Sequence, residues 1–551
     1  MIQNNTYHCY LFSGCSVIIS PRDGSESSLL GVIHAVDACA GSLTVCLRSI
    51  EQDLNAQLSY DFTIREVDII DRIINGIEGC FDNGEDIASV LFNEKDVSQP
   101  LAELDAKILT AEGNINFYNG DLDPSQKAAV EFVLRQPHVS IIHGPPGTGK
   151  STTLVEVVRQ HVRMGVKVLV LAPSNIAVDV MTLKLQEAGL TVVRIGNTAC
   201  TAPELKWLTI ESWVEEMDIT TERLFAGIDV VLTTITSSTH SVMDSLPYDH
   251  FGLTVIDECG QATEASCYMP LDYTSKLVLA GDHMQLPPTV ISTKATGLLS
   301  SLMERLISNY GDKIYRLLTV QYRMHRDIMD WSSRNMYQGK LTAHPSVENR
   351  RLCDLAAVTR ETLTETVLLL IKTSNDDDYH EKSSASFGSD SRFNIGEANA
   401  VLQQVIKLVD AGVSEEEIAV ATPYTGQVRF ITDLLSAEGY SAVDVKTVDG
   451  FQGGEKEAII ISMVRSNSKG NIGFLGDQRR MNVAFTRARR HLCVICNPRT
   501  VSSAPFLRDM LSYMDERGSV IDLKSGYSSL QSQDVASSAE YTPARKRSKK
   551  K

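Results

Sequence analysis

The run GPPGTGKS at residues 144–151 constrains this chain more than any other feature, because it lies directly between the apolar segment VSIIH (139–143) and a stretch of helical character. A strand, a small-residue loop and a helix in that order form a phosphate cradle. Gly144, Pro145, Pro146, Gly147, Thr148 and Gly149 let the backbone curl until its N–H groups and the helix N-terminus face an anion. Lys150 then reaches the outer phosphates, and Ser151, followed by Thr152, offers hydroxyls, Ser151 to a magnesium ion. The spacing therefore predicts a nucleotide-binding α/β sheet.

Around this loop, short apolar strands alternate with helical stretches: VKVLVLA (166–172), LTVID (253–257) and LVLAGD (277–282). A second series follows in VLLLI (367–371), EIAVATPY (417–424), EAIIISMV (457–464) and LCVIC (492–496). Such alternation is the pattern of parallel sheets covered by helices. Two α/β domains are expected, over 116–310 and 311–515. Residues 1–115 read differently, as short β-rich runs such as CSVIIS, LLGVIHAV and SLTVCLR separated by turn-formers, which predicts a small N-terminal β-barrel with a helical connection. The Ser-, Asp- and Gly-rich segment 373–392 predicts a disordered loop, and 516–551 a flexible basic tail.

Phosphoryl transfer also needs a carboxylate for the metal and a group that positions water. Asp257 and Glu258 follow the apolar strand LTVI and so fall at the carboxyl edge of the sheet, where open α/β sheets bind ligands. An Asp-Glu pair alone is usually a solvated turn; its place after this strand makes Asp257 a metal ligand beside Ser151, and Glu258 the water-positioning group. Gln285 in GDHMQLPP offers a neutral group to the γ phosphate. Tyr322 and Arg323 follow in LTVQYRMH, and an arginine aimed at transferring phosphate is a known device.

A net charge of −17 argues against a protein that coats nucleic acid with its whole surface, while leaving room for a local basic groove. Six of the last seven residues, Arg545 to Lys551, are basic, which fits nuclear import as well as a solvated end. The opening residues lack a basic start followed by an apolar stretch, and no run approaches membrane-spanning length, so an intracellular place in nucleus or cytoplasm, with no membrane association, is expected. Cys493 and Cys496 stand in an apolar strand without a second pair, which predicts core packing over a zinc site.

The motifs together resemble the superfamily 1 helicases of the Upf-like group. LDPSQKAAV (122–130), the loop itself, APSNIAVD (172–179), VVLTTITSS (230–238), VIDECGQATEAS, LAGDHMQLPPT, LTVQYRMH, VKTVDGFQGGEKEAIIISMVRSN (445–467) and DQRRMNVAFTRARRHL (477–492) occur in that family's order from about 122 to 497. The resemblance implies two RecA-like P-loop domains that use ATP and Mg2+. It implies that Gln126 reads the adenine edge, that Tyr322 packs on the base and that Glu455 contacts the nucleotide. Arg323 and Arg487 become arginine fingers, so that the γ phosphate holds two sheets together and its loss lets them part. Single-stranded RNA or DNA would lie on Pro173, Ser174, Asn175, Thr233, Thr234, Tyr424 and Thr447, whose polar groups hold backbone without reading sequence.

That likeness implies an ATP-dependent, 5′-to-3′ helicase or translocase acting as a monomer, with targeting left to protein partners. The stretch between Gly196 and Ala226 is shorter than the helical insertion of many relatives, and Gly454 stands where they commonly place arginine. The short insertion keeps open a remodeller of nucleic-acid–protein complexes that hydrolyses ATP without unwinding. A non-catalytic binding scaffold conflicts with the complete set Lys150, Ser151, Asp257, Glu258, Gln285, Arg323 and Arg487.

Overall fold

The computed structural model describes residues 16–21, 29–37, 42–47, 60–64, 73–74, 76–78, 85–93 and 102–523, except 218–219, 240–241, 244–245, 248–249, 272–273, 291–293, 375, 384–390 and 452. Two compact units divide the chain. One holds residues 1–144, 150–283 and 287–317; the other holds 145–149, 284–286 and 318–551.

The first unit opens with four antiparallel strands, β1 (Ser16–Pro21), β2 (Leu29–Asp37), β3 (Ser42–Leu47) and β4 (Tyr60–Ile64), in the order β3-β2-β1-β4. Of the helical connection expected within 1–115, residues 73–74, 76–78 and Glu85–Leu91 are described as helical. Seven further strands form one parallel sheet: β5 (Val139–His143), β6 (Val168–Ala172), β7 (Val192–Arg194), β8 (Val230–Thr234), β9 (Leu253–Ile256), β10 (Leu277–Gly281) and β11 (Tyr315–Leu317). Their order is β11-β5-β10-β9-β6-β8-β7. Every residue of β5, β6, β8, β9 and β10 is buried, as continuous apolar runs must be when helices cover both faces. The helix Pro124–Arg135 starts cleanly because Asp123 caps it, Pro124 occupies its first turn and Gln126 returns a hydrogen bond to the cap.

The second unit begins with a short parallel pair, β12 (Val320–Gln321) and β13 (Thr342–Ala343). Its main sheet joins β14 (Leu368–Lys372) to later strands, after the minor antiparallel pair β15 (Lys382–Ser383) and β16 (Arg392–Phe393). Those strands are β17 (Ile418–Thr422), β18 (Asp444–Thr447), β19 (Lys456–Ser462), β20 (Ala488–Cys496) and β21 (Ser519–Asp522). They run parallel in the order β18-β17-β19-β20-β14-β21. Ile459, Ile461, Leu492 and Val494 pack one face of it, and Ala458, Ile460, Cys493 and Ile495 the other. Cys493 and Cys496 are buried and their thiols are pushed up by that burial, which leaves them as core.

Within 373–392 the described residues are folded: Asp377–Tyr379 makes a helical turn, Tyr379 is buried, and β15 pairs with β16. At the boundary expected at 516, Ser519–Asp522 adds a strand to β14; residues 524–551, with the basic residues 545–551, lie outside the described residues. Among the described residues, no helix is long and apolar enough to cross a membrane.

Candidate nucleotide and nucleic-acid sites

The phosphate loop leaves β5 with Gly144, whose N–H donates to Gly281 O on the neighbouring strand β10 at 2.9 Å. A Cβ at Gly144 would stand 2.7 Å from Lys150 Cβ, so the missing side chain lets the lysine fold back over its own loop. Gly147 and Gly149 both take φ of +75°, a region that costs other residues strain. Thr148 closes the turn through its hydroxyl, 2.7 Å from Pro145 O. Lys150 and Ser151 then open the helix Lys150–Arg163.

In the first unit Lys150 Nζ donates to Asp257 and, at 2.8 Å, to Glu258 Oε1. Burial opposes the lysine's charge, but the two carboxylates outweigh it and hold its pKa above the ordinary value. Burial dominates at Asp257 and raises its pKa, whereas at Glu258 the pull of Lys150, with hydrogen bonds from Lys150 and Gln261, overcomes burial and lowers it. Glu258 also sits at φ 53°, ψ 31°. A glutamate in the left-handed region is an uncommon backbone choice of the kind that gathers at functional sites.

Beside this cluster, His143 ends β5 and Asp282 follows β10. The histidine Nε2 and Asp282 Oδ1 lie 2.9 Å apart and buried, a hydrogen bond that ties the two strand ends together. Gln126 accepts from Asp123 N at 3.0 Å as part of the helix cap, so the residue expected at the adenine also fixes the start of its helix.

The loop crown, residues 145–149, counts with the second unit, where Tyr322 N donates to Gly147 O at 2.8 Å. Tyr322 stacks obliquely on His344, with ring centroids 4.6 Å apart. Arg323 donates through Nε to Glu455 and through Nη1 to Thr486 O at 3.0 Å. The other oxygen of Glu455 accepts from Arg489 Nε at 2.9 Å. Burial works against ionised Glu455, yet Arg323 and Arg489 bring its pKa below the ordinary value. Arg487 is buried and donates to Val483 O, Gly454 O and, at 2.7 Å, Gln285 Oε1. Gly454, the departure from the family pattern, thus offers Arg487 a backbone acceptor.

The expected nucleic-acid contacts divide by exposure. Ser174 is exposed and Pro173, Asn175 and Thr447 are half-buried, whereas Thr233, Thr234 and Tyr424 are buried. Ser174 caps the helix Asn175–Glu187. Asn175 accepts from Arg194 at 2.6 Å, and Arg194 also donates to Asp179 at 3.1 Å. That fully buried arginine was missed in the sequence; its signal was a charge inside the apolar run TVVRIG, which can be buried only if paired. Arg489, which steadies Glu455, was missed for lack of any local signal.

A Walker loop on a covered parallel sheet, with paired carboxylates two strands away in the sheet order, defines a P-loop nucleotide triphosphatase. Two family models, both described as AAA domain, match residues 121–221 with 209–293, and 298–499. DNA-binding protein SMUBP-2 of Rattus norvegicus is 43% identical over 74% of this chain and 46% of its own length. DNA polymerase alpha-associated DNA helicase A of Schizosaccharomyces pombe is 34% identical over 76% of this chain and 70% of its own length. An uncharacterized ATP-dependent helicase of Methanocaldococcus jannaschii is 31% identical over 74% and 72%. The chain belongs to the superfamily 1 helicases of the Upf-like group, and it spans about half the length of the SMUBP-2 relatives it matches. Among solved structures, arterivirus nonstructural protein 10 (helicase) aligns at a TM-score of 0.35 and 13% identity over 71% of this chain and 69% of that one.

Proposed function

We propose that this protein is an ATP-driven helicase that moves 5′ to 3′ along single-stranded RNA or DNA. The observation that carries the reading is Lys150 held by Asp257 and Glu258 at the end of a loop whose Gly147 and Gly149 take positive φ. The donor set fits a nucleotide with its divalent cation. Ser151 and Asp257 are hard oxygen ligands of the sort magnesium takes; they would hold the ion, which would offset the charge of the phosphates.

Lys150 faces two partners of one sign. When ATP enters, its phosphates compete with Asp257 and Glu258 for the ammonium, and the freed carboxylates take up their own tasks. Asp257 becomes available as a metal ligand. Glu258 becomes available to take a proton from a water whose oxygen attacks the γ phosphorus as the bond to the ADP oxygen breaks. Gln285, Arg323 and Arg487, by their motif positions, recognise that phosphate and offset the charge that develops as it transfers. Gln126 and Tyr322 hold the base, and Glu455 holds Arg323 in its direction. Pro173, Ser174, Asn175 and Thr447 present polar groups to the strand backbone, and the N-terminal antiparallel strands belong to an accessory barrel.

Strand displacement on duplexes with 5′ or 3′ single-stranded tails tests the reading. The expected result is ATP-dependent release from 5′-tailed substrates. Hydrolysis stimulated by single strands with no release from either duplex would make the protein a remodeller instead.

A further inference from the structure

The second unit displays an aromatic side chain that none of the roles above uses. Phe474 is 49% exposed, although Leu475 beside it is buried. The loop that carries it is pinned. Gly473 takes φ of +52°, and a Cβ there would stand 2.3 Å from Arg465 Nη1 and 2.7 Å from the Tyr424 hydroxyl, so no larger residue allows this approach. Arg465 donates to that hydroxyl at 3.0 Å and to Glu381 at 2.8 Å. Buried Tyr424 therefore acts as a floor, its ring centroid 5.5 Å from that of Phe474 at 60°.

The charge around the ring favours an anionic, aromatic partner. The Arg480 guanidinium lies 5.3 Å from the Phe474 centroid, and it also pairs with Asp449 at 3.1 Å. Asp449 lies two residues after Thr447, one of the expected backbone contacts. An exposed ring that carries a cation over its face can take a base in the cation's place while the cation meets phosphate.

We propose that Phe474 is a base-stacking contact for single-stranded nucleic acid, an inference that rests on the translocase reading above. Tyr424 supports that ring instead of touching the strand.

The test is fluorescence anisotropy of the full chain with oligo-dT, oligo-U and tracts of matching backbone that lack bases. F474A is expected to weaken binding to the tract with bases about tenfold, and F474W to stay within about twofold of the unaltered protein. On abasic tracts the proteins should bind alike, since no base remains to stack. If F474A binds oligo-dT and oligo-U as tightly as the unaltered protein, or loses as much on abasic tracts, the stacking role is overturned while the translocase reading stands. If the unaltered protein binds no single strand, both fall.

Discussion

The charged clusters of the two units are built on opposite plans. In the first, one lysine is shared by two carboxylate side chains. In the second, Arg487 is fixed by two backbone carbonyls as well as Gln285, and Arg323 by Thr486 O as well as Glu455. A lysine carries a compact charge on a flexible stem and can change partners, while guanidinium groups held by backbone are set in direction before any ligand arrives. The difference separates a cluster that ligand binding rearranges from one prepared in advance.

Replacing Arg487 strikes at the prepared cluster and should have the largest effect. R487A is expected to lower kcat for ATP by about a thousandfold, read in a steady-state phosphate-release assay. A loss of a few-fold would place Arg487 among structural residues. E455Q is a finer cut, because it weakens the grip on Arg323 while leaving Thr486 O in place. An order-of-magnitude fall in kcat, roughly tenfold, with KM little changed is expected if Glu455 orients the finger. A rise in KM with kcat intact would show that Glu455 serves mainly to bind ribose.

The smallest effect concerns a carboxylate outside both clusters. Glu397 is buried and accepts from Ser462 Oγ and Val464 N, each at 2.7 Å. Burial, against those hydrogen bonds, raises its pKa from 4.5 to about 8. The folded state therefore prefers the protonated acid. Its stabilising contribution is full below about pH 4.5 and is lost as pH rises through about 8. E397Q, which stays neutral, should flatten this part of the pH dependence of Tm; an unchanged profile would contradict the assignment.

Much of this was legible in the sequence because it is local. The loop 144–151, the strand before Asp257 and Glu258, and the strands around Cys493 all announce themselves by spacing and apolar runs. What was not legible joins distant positions. Arg323 meets Glu455 across 132 residues, Arg487 meets Gln285 across 202, and Lys150 lies 107 from Asp257. Periodicity carries no information on such pairs; motif order supplied the participants, and only the fold shows which carboxylate holds which cation. The described part of segment 373–392 shows the same limit, while 384–390 lie outside the described residues. Its polar composition argues for disorder, but Glu381 accepts from Arg465, Ser466 and Asn467, so distant donors fold it.

The central claim is that Glu258, released from Lys150, positions the attacking water. The direct test measures ATP affinity and single-strand-stimulated turnover of E258Q in parallel. Glutamine can still accept one hydrogen bond but cannot take the proton, so nucleotide binding should persist while kcat falls by about a hundredfold or more. Turnover by E258Q at the unaltered rate would contradict the account.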